Sequence, residues 1–77
     1  MKITIQTISG FTRVISVEPT TTIREIKQQL YALEGIEADQ QHILLRGSIV
    51  QDSSTIEAAN ITEGQVLHMV INLIGGY

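Results

Sequence analysis

The sequence predicts an α+β domain in which one helix packs on one face of a sheet, in the order β-β-α-β-β-β. Three observations carry this reading. Near the start, apolar and polar residues alternate at a period of two, twice in quick succession. One later stretch repeats at spacings of three and four, between a start signal and a stop signal. The chain then gives two short β-rich runs and finally its most apolar run, over residues 66–73.

The first strand is expected over residues 1–7, where Ile3 and Ile5 alternate with Lys2, Thr4 and Gln6. Ser9-Gly10 supplies turn chemistry. A second strand over 11–17 keeps Ile15 and Val17 inward, and the link between the two is short enough for a hairpin. Arg13 breaks the inward period, so it either snorkels at a sheet edge or marks a loose register. Glu18-Pro19 stops the strand. Ile23, Ile26, Leu30 and Leu33 then trace one face of a helix over 22–34. Thr22 and Glu25 have the spacing of a capping box. Gly35 suits the left-handed position past the helix end, and Ile36 the apolar contact beyond it. Lys27 falls within the apolar face, so its stem is expected to be partly buried. Residues 42–46 read as a short strand, and Gly47 turns the chain into another at Ile49-Val50. Residues 51–65 are polar and irregular, with one helical turn expected near residues 56–59 and a turn at Glu63-Gly64.

Composition narrows the function. The 77 residues hold 5 Lys+Arg against 8 Asp+Glu, a net charge of −3, which argues against a nucleic-acid module. The length allows one domain. No run reaches the roughly 20 apolar residues of a membrane span, and no secretory signal pattern opens the chain. The absence of cysteine removes disulfides, thiolate metal sites and a cysteine nucleophile. His42 and His68 are the only histidines, and no metal-ligand spacing surrounds them. Glu34, Glu37 and Asp39 read as a solvated acidic loop. So small a chain is expected to lack a pocket of a few hundred Å³. No catalytic residue, metal or cofactor is assigned, and a monomer is expected.

Two features ask for more. Strand polarity, with Ile43 and Leu45 turned inward, exposes Leu44; with Leu67, Met69 and Ile71 inward, it exposes His68 and Val70. Ile8 from the first hairpin can join them, making an apolar cluster of the kind that binds partners. Scattered exposed apolar residues without a role are the plain alternative. The second feature is Gly75-Gly76, a pair expected at a given position at about 0.5% from a glycine frequency of about 7%. Glycines can thread a narrow channel, and a terminal glycine carboxylate is an unhindered acyl group. Tyr77 blocks that carboxylate.

Taken together, these residues resemble the ubiquitin family. The similarity runs without a gap over 1–76 and includes Ile3, Thr7, Gly10, Val17-Glu18-Pro19, Thr22-Ile23, Lys27 and Glu34-Gly35-Ile36. It continues through Asp39-Gln40-Gln41, Gly47, Asp52, Asn60-Ile61, Leu67-His68, Val70, Leu73 and Gly75-Gly76. The resemblance implies a β-grasp fold over 1–72, a mixed sheet whose first and last strands pair in parallel at its centre, and a flexible tail over 73–77. It implies a covalent modifier that a processing protease trims between Gly76 and Tyr77. An ATP-dependent activating enzyme and conjugating enzymes would then join Gly76 to amines of target proteins. It implies a recognition patch for ubiquitin-binding-type domains at Ile8, Leu44, His68 and Val70, and a second apolar patch at Ile36, Ile71 and Leu73. The implied setting is cytoplasmic, extending to the nucleus.

Departures from the family are equally specific. Of its acceptor lysines only Lys27 remains, and Lys2 is an added amine. Ser48 and Glu63 occupy its two best-used linkage positions, so ordinary polymer chains are not expected. His42, Asn72 and Ile74 replace arginines that dock on activating and processing enzymes, and Asn72 matches neither ubiquitin nor Rub-type modifiers. Ala58 and Ala59 replace polar and aromatic residues, which is expected to loosen their loop. Three readings therefore stand: a conjugated modifier first, a non-covalent binding module second, and a diglycine sulfur carrier last.

Overall fold

A computed structural model describes residues 1–7 and 10–71. Five strands form one sheet, with one α-helix across it. They are β1 (Lys2–Thr7), β2 (Thr12–Ser16), β3 (Gln41–Leu45), β4 (Ser48–Ile49) and β5 (Val66–Ile71), with α1 (Ile23–Glu34) between β2 and β3. The sheet order is β2-β1-β5-β3-β4. β1 and β5 pair in parallel at the centre, and the remaining pairs are antiparallel. This is the mixed sheet that the resemblance implied.

The period-two pattern of β1 buries Ile3 and Ile5 beneath the helix, and Leu67 and Met69 of β5 join them with no exposed surface. Ile23, Ile26 and Leu30 of α1 close the core from the other side, also fully buried. Capping defines both ends of α1. The Thr22 hydroxyl accepts from the Glu25 amide, and the Glu25 carboxylate accepts from the Thr22 amide at 2.8 Å. The next two amides reach outside the helix, Ile23 to the Ser54 carbonyl at 2.9 Å and Arg24 to the Asp52 carbonyl at 3.0 Å. The 52–55 loop thus satisfies donors that a helix start leaves free. At the other end Gly35 takes φ 76° and its amide donates to the Tyr31 carbonyl. Thr22→Ala is expected to lower the unfolding free energy by about 1 kcal/mol, read by chemical denaturation. An unchanged midpoint would mean that the loop carbonyls alone hold the helix start.

Leu33 is half-exposed rather than on the buried stripe. At 3.6 residues per turn it falls about 70° from the axis defined by Ile23, Ile26, Lys27 and Leu30. The central position belongs to Glu34, whose carboxylate pairs with the Arg13 guanidinium. That pair resolves the break in β2: Arg13 lies on the edge strand, on the helix side, and reaches the C-terminal end of α1. A cation there also offsets the negative end of the helix dipole.

Arg46 lies outside β3, in a two-residue turn with Gly47 at φ 53° and 83°. Both central residues at positive φ match the twist of a tight hairpin. β4 ends at Ile49, although the Val50 amide still donates to the Ile43 carbonyl at 2.9 Å. A short 3₁₀ turn over Ala38–Gln40 precedes β3 and has no counterpart in the sequence reading. Residues 56–60 form turns, not a helix, although the Ala59 amide reaches the Thr55 carbonyl.

Candidate functional site

The sheet face away from α1 is the candidate surface, and strand register builds it. Leu44 of β3 lies opposite His68 of β5, and His42 lies opposite Val70. Residues directly opposite in an antiparallel ladder project to the same face. Leu44, His68 and Val70 therefore adjoin one another, as the strand polarity requires. Their exposure differs from the expectation in degree: His68 is exposed, whereas Leu44 and Val70 are half-buried. Central strands shield one another's side chains, so alternation predicts direction better than exposure. Ile8 lies outside the described residues.

The register also extends this face with residues that the sequence reading passed over. Ile49 of β4 is opposite Leu44, and 60% of it is exposed. Val14 of β2 and Val66 of β5 flank Thr4 of β1 on either side, with 63% and 43% exposed. The signal was present in each strand as a valine or isoleucine at an outward position. It became an arrangement only once β1 and β5 were known to be neighbours.

Charge is uneven among the elements. No residue of the five strands is acidic, and all eight carboxylates lie on α1 or in loops. The outward face carries Lys2, His42 and His68, with Arg46 in the adjoining turn. C-terminal to Arg46 the sequence holds no Lys or Arg. A net charge of −3 therefore conceals a sheet face whose own strand residues carry no acid, suited to a partner that offers apolar and acidic groups. Leu44→Ala is expected to weaken such a partner about 5- to 30-fold, as for a central contact residue. Its cost in stability should stay near 1 kcal/mol, because the side chain is only half-buried. Unfolding of the variant would mean that Leu44 belongs to the core.

The second patch is partly assembled. Ile36 and Ile71 are half-buried and pack against the core, and Leu73 lies outside the described residues. Gly75, Gly76 and Tyr77 lie outside them too, as do Asn72 and Ile74.

Lys27 is more buried than a half-covered stem. Only 7% of its side chain is exposed, and its ammonium pairs with the Asp52 carboxylate. Gln41 sits next to it, 1% exposed, donating to the Lys27 and Ile36 carbonyls at 3.0 and 2.9 Å. Contrary to the size argument, two open hollows of about 360 and 420 Å³ adjoin Asp52, and the second is also lined by Lys27 and Gln41. The first lies between α1, the 3₁₀ turn and Asp52, and the second between Lys27, β3, Ile49 of the edge strand β4 and the 50–52 loop. Among the described residues no group of three or more His, Cys, Asp or Glu side chains is placed to hold a metal.

The model of the ubiquitin family matches residues 3–74. Ubiquitin-like protein NEDD8 of Dictyostelium discoideum is 34% identical over 76 residues, covering 99% of this chain and 99% of its own. NEDD8-like protein RUB3 of Arabidopsis thaliana is 36% identical over 76 residues, with 99% and 97% covered. Large proline-rich protein bag6 of Xenopus tropicalis is 27% identical over 70 residues, 91% of this chain and 6% of that protein.

Proposed function

Because the chain belongs to the ubiquitin family, we propose that it is a protein modifier joined through the Gly76 carboxyl to amines of other proteins. Ubiquitin-like modifiers are not themselves enzymes, so the chemistry lies with their partners. A protease removes whatever follows Gly76, Tyr77 included. An ATP-dependent activating enzyme adenylates the Gly76 carboxylate, and pyrophosphate leaves. A cysteine thiolate of that enzyme displaces AMP to give a thioester. Conjugating enzymes carry the thioester to a lysine amine, which displaces the thiolate and forms an isopeptide bond. The outward sheet face then presents the conjugate to recognition domains in the cytoplasm or nucleus.

The observation that carries this reading is the diglycine Gly75-Gly76, which directly follows the matched stretch 3–74. Asn72, Ile74 and His42 require enzymes whose docking sites do not depend on arginine forks. Each lost charge-assisted hydrogen bond is worth about 1.5–3 kcal/mol, so general ubiquitin machinery should handle this chain poorly.

The test is intact-mass spectrometry of the protein recovered from its own cells. A mature form ending at Gly76, together with covalent adducts on other proteins, is the expected result. A form that retains Tyr77 without adducts would overturn it. That outcome favours the second reading, a non-covalent recognition module. Its support is the loss of the docking arginines and the likeness to a small part of a much longer protein. Partners would then bind equally well to a variant lacking Gly76.

A further inference from the structure

The two edges of the sheet differ. β4 is two residues long, whereas β2 offers five residues of edge. Hydrogen bonding fixes which groups of β2 face outward. The Met1 amine donates to the Val17 carbonyl at 2.9 Å, and the Val17 amide to the Met1 carbonyl at 2.8 Å. At the other end the Thr7 amide donates to the Phe11 carbonyl at 3.0 Å. By the alternation of an antiparallel ladder, residues 11, 13, 15 and 17 therefore direct their backbone groups at β1. The amides and carbonyls of Thr12, Val14 and Ser16 point away from it. None of them has a hydrogen-bond partner among the described residues.

Native proteins blunt such an edge with charge, proline or a bulge. The outer row from Thr12 to Ser16 carries none of these. The one charge of β2, Arg13, is turned to the helix side and held by Glu34. Val14 stands open beside it, 63% exposed. The order Thr12-Arg13-Val14-Ile15-Ser16 is also nearly a chemical palindrome on its outer row. A second copy docked antiparallel, on a two-fold axis at Val14, sets Val14 against Val14 and Thr12 against Ser16 on either side. Each opposed pair exchanges two hydrogen bonds, so every free amide and carbonyl of the three residues is used. Apolar meets apolar and hydroxyl meets hydroxyl, both favourable as directly opposed pairs. A shift of two residues sets Val14 against a hydroxyl and leaves one end of the row unmatched.

We propose that two copies of this chain pair through the β2 edge in this register, forming one sheet with five strands from each copy. Opposed residues project to the same face, so the axis runs perpendicular to the sheet. Both helices then lie on one side and both outward faces on the other. The row Val66, Thr4, Val14 continues into Val14, Thr4 and Val66 of the second copy. The paired edge is about 17 Å long at about 3.4 Å per residue, which places the contact in the weak class below about 1,200 Å². The chain is therefore a monomer when dilute. The pairing needs no conjugation, so it stands or falls apart from the modifier reading.

The test is solution NMR of the full chain from dilute samples to about 1 mM, where a contact of this class is populated. The amide signals of Thr12, Val14 and Ser16 should move together with concentration, and their hydrogen exchange should slow. A mixture of labelled and unlabelled copies should show contacts from Thr12 of one copy to Ser16 of the other. Val14→Pro removes the central amide, which faces no strand of its own copy, and edge strands tolerate proline there. It should weaken pairing at least about tenfold. Val14→Lys sets like charges against each other across the axis and should weaken it as much, and it carries the test if the proline variant unfolds. Signals that stay fixed up to about 1 mM would overturn the proposal. So would shifts confined to the Leu44–His68 row, or undiminished pairing in the Val14→Lys chain.

Discussion

Leu67→Ala is expected to lower the unfolding free energy by about 2–5 kcal/mol, measured by chemical denaturation. Leu67 is fully buried on β5, with β1 on one side and β3 on the other. Its removal leaves a cavity beneath α1 that a central strand cannot collapse to fill. A domain of this size holds about 4–12 kcal/mol in total, taking 0.05–0.15 kcal/mol per residue. The single change therefore consumes a large share of the stability, and a visible unfolded fraction at 37 °C is expected. The neighbouring His68→Ala should stay within about 0.5 kcal/mol of wild type, because that side chain is exposed on the other face. The contrast tests register as well as burial. A slip of one residue in β5 exchanges the two faces, and the order of the two variants would reverse.

Breaking the Lys27–Asp52 pair should cost different amounts from its two sides. Asp52→Ala leaves an ammonium that is almost wholly enclosed, with its carboxylate partner gone. Orphaning one member of a fully buried pair costs about 3–5 kcal/mol. Half of the Asp52 side chain is exposed, so water reaches the site and about 1–3 kcal/mol is the expected loss. Lys27→Met keeps the apolar stem in place and removes the charge that needs a partner. It should fall within about 1 kcal/mol of wild type, since an apolar replacement of a buried ion often breaks even. Denaturation of both variants checks this. A Lys27→Met chain less stable than Asp52→Ala would mean that the stem packs poorly and the charge itself holds the 50–52 loop to α1.

The helix was the most legible element because its signals are local. Thr22, Glu25 and Gly35 each act within a few residues of their own position, and each adopts the role its spacing implies. Leu33 shows where that legibility stops. A spacing of three or four fits either Leu33 or Glu34 into the stripe, and chemistry favours leucine. The choice was settled by Arg13, a residue on another element that makes a carboxylate at the central position tolerable. The order of the sheet was not written in any strand. The parallel pairing of β1 with β5 joins residues some sixty positions apart, and only the resemblance to a known fold implied it. The candidate surface followed the same division. Leu44, His68 and Val70 were found from alternation within strands. Val14, Ile49 and Val66 were found only when neighbouring strands were known.

The lack of Lys and Arg after Arg46 has a practical consequence for finding conjugates. Arg46, in its tight turn, is the last site in the sequence that trypsin recognises. A conjugate made through Gly76 and digested with trypsin would leave the 30 residues from 47 to 76 attached to the target lysine. Surveys that capture targets by a two-glycine remnant would pass over every one of them. Cleavage after glutamate would end the remnant at Glu63 and leave 13 residues, 64–76, as the signature to search for.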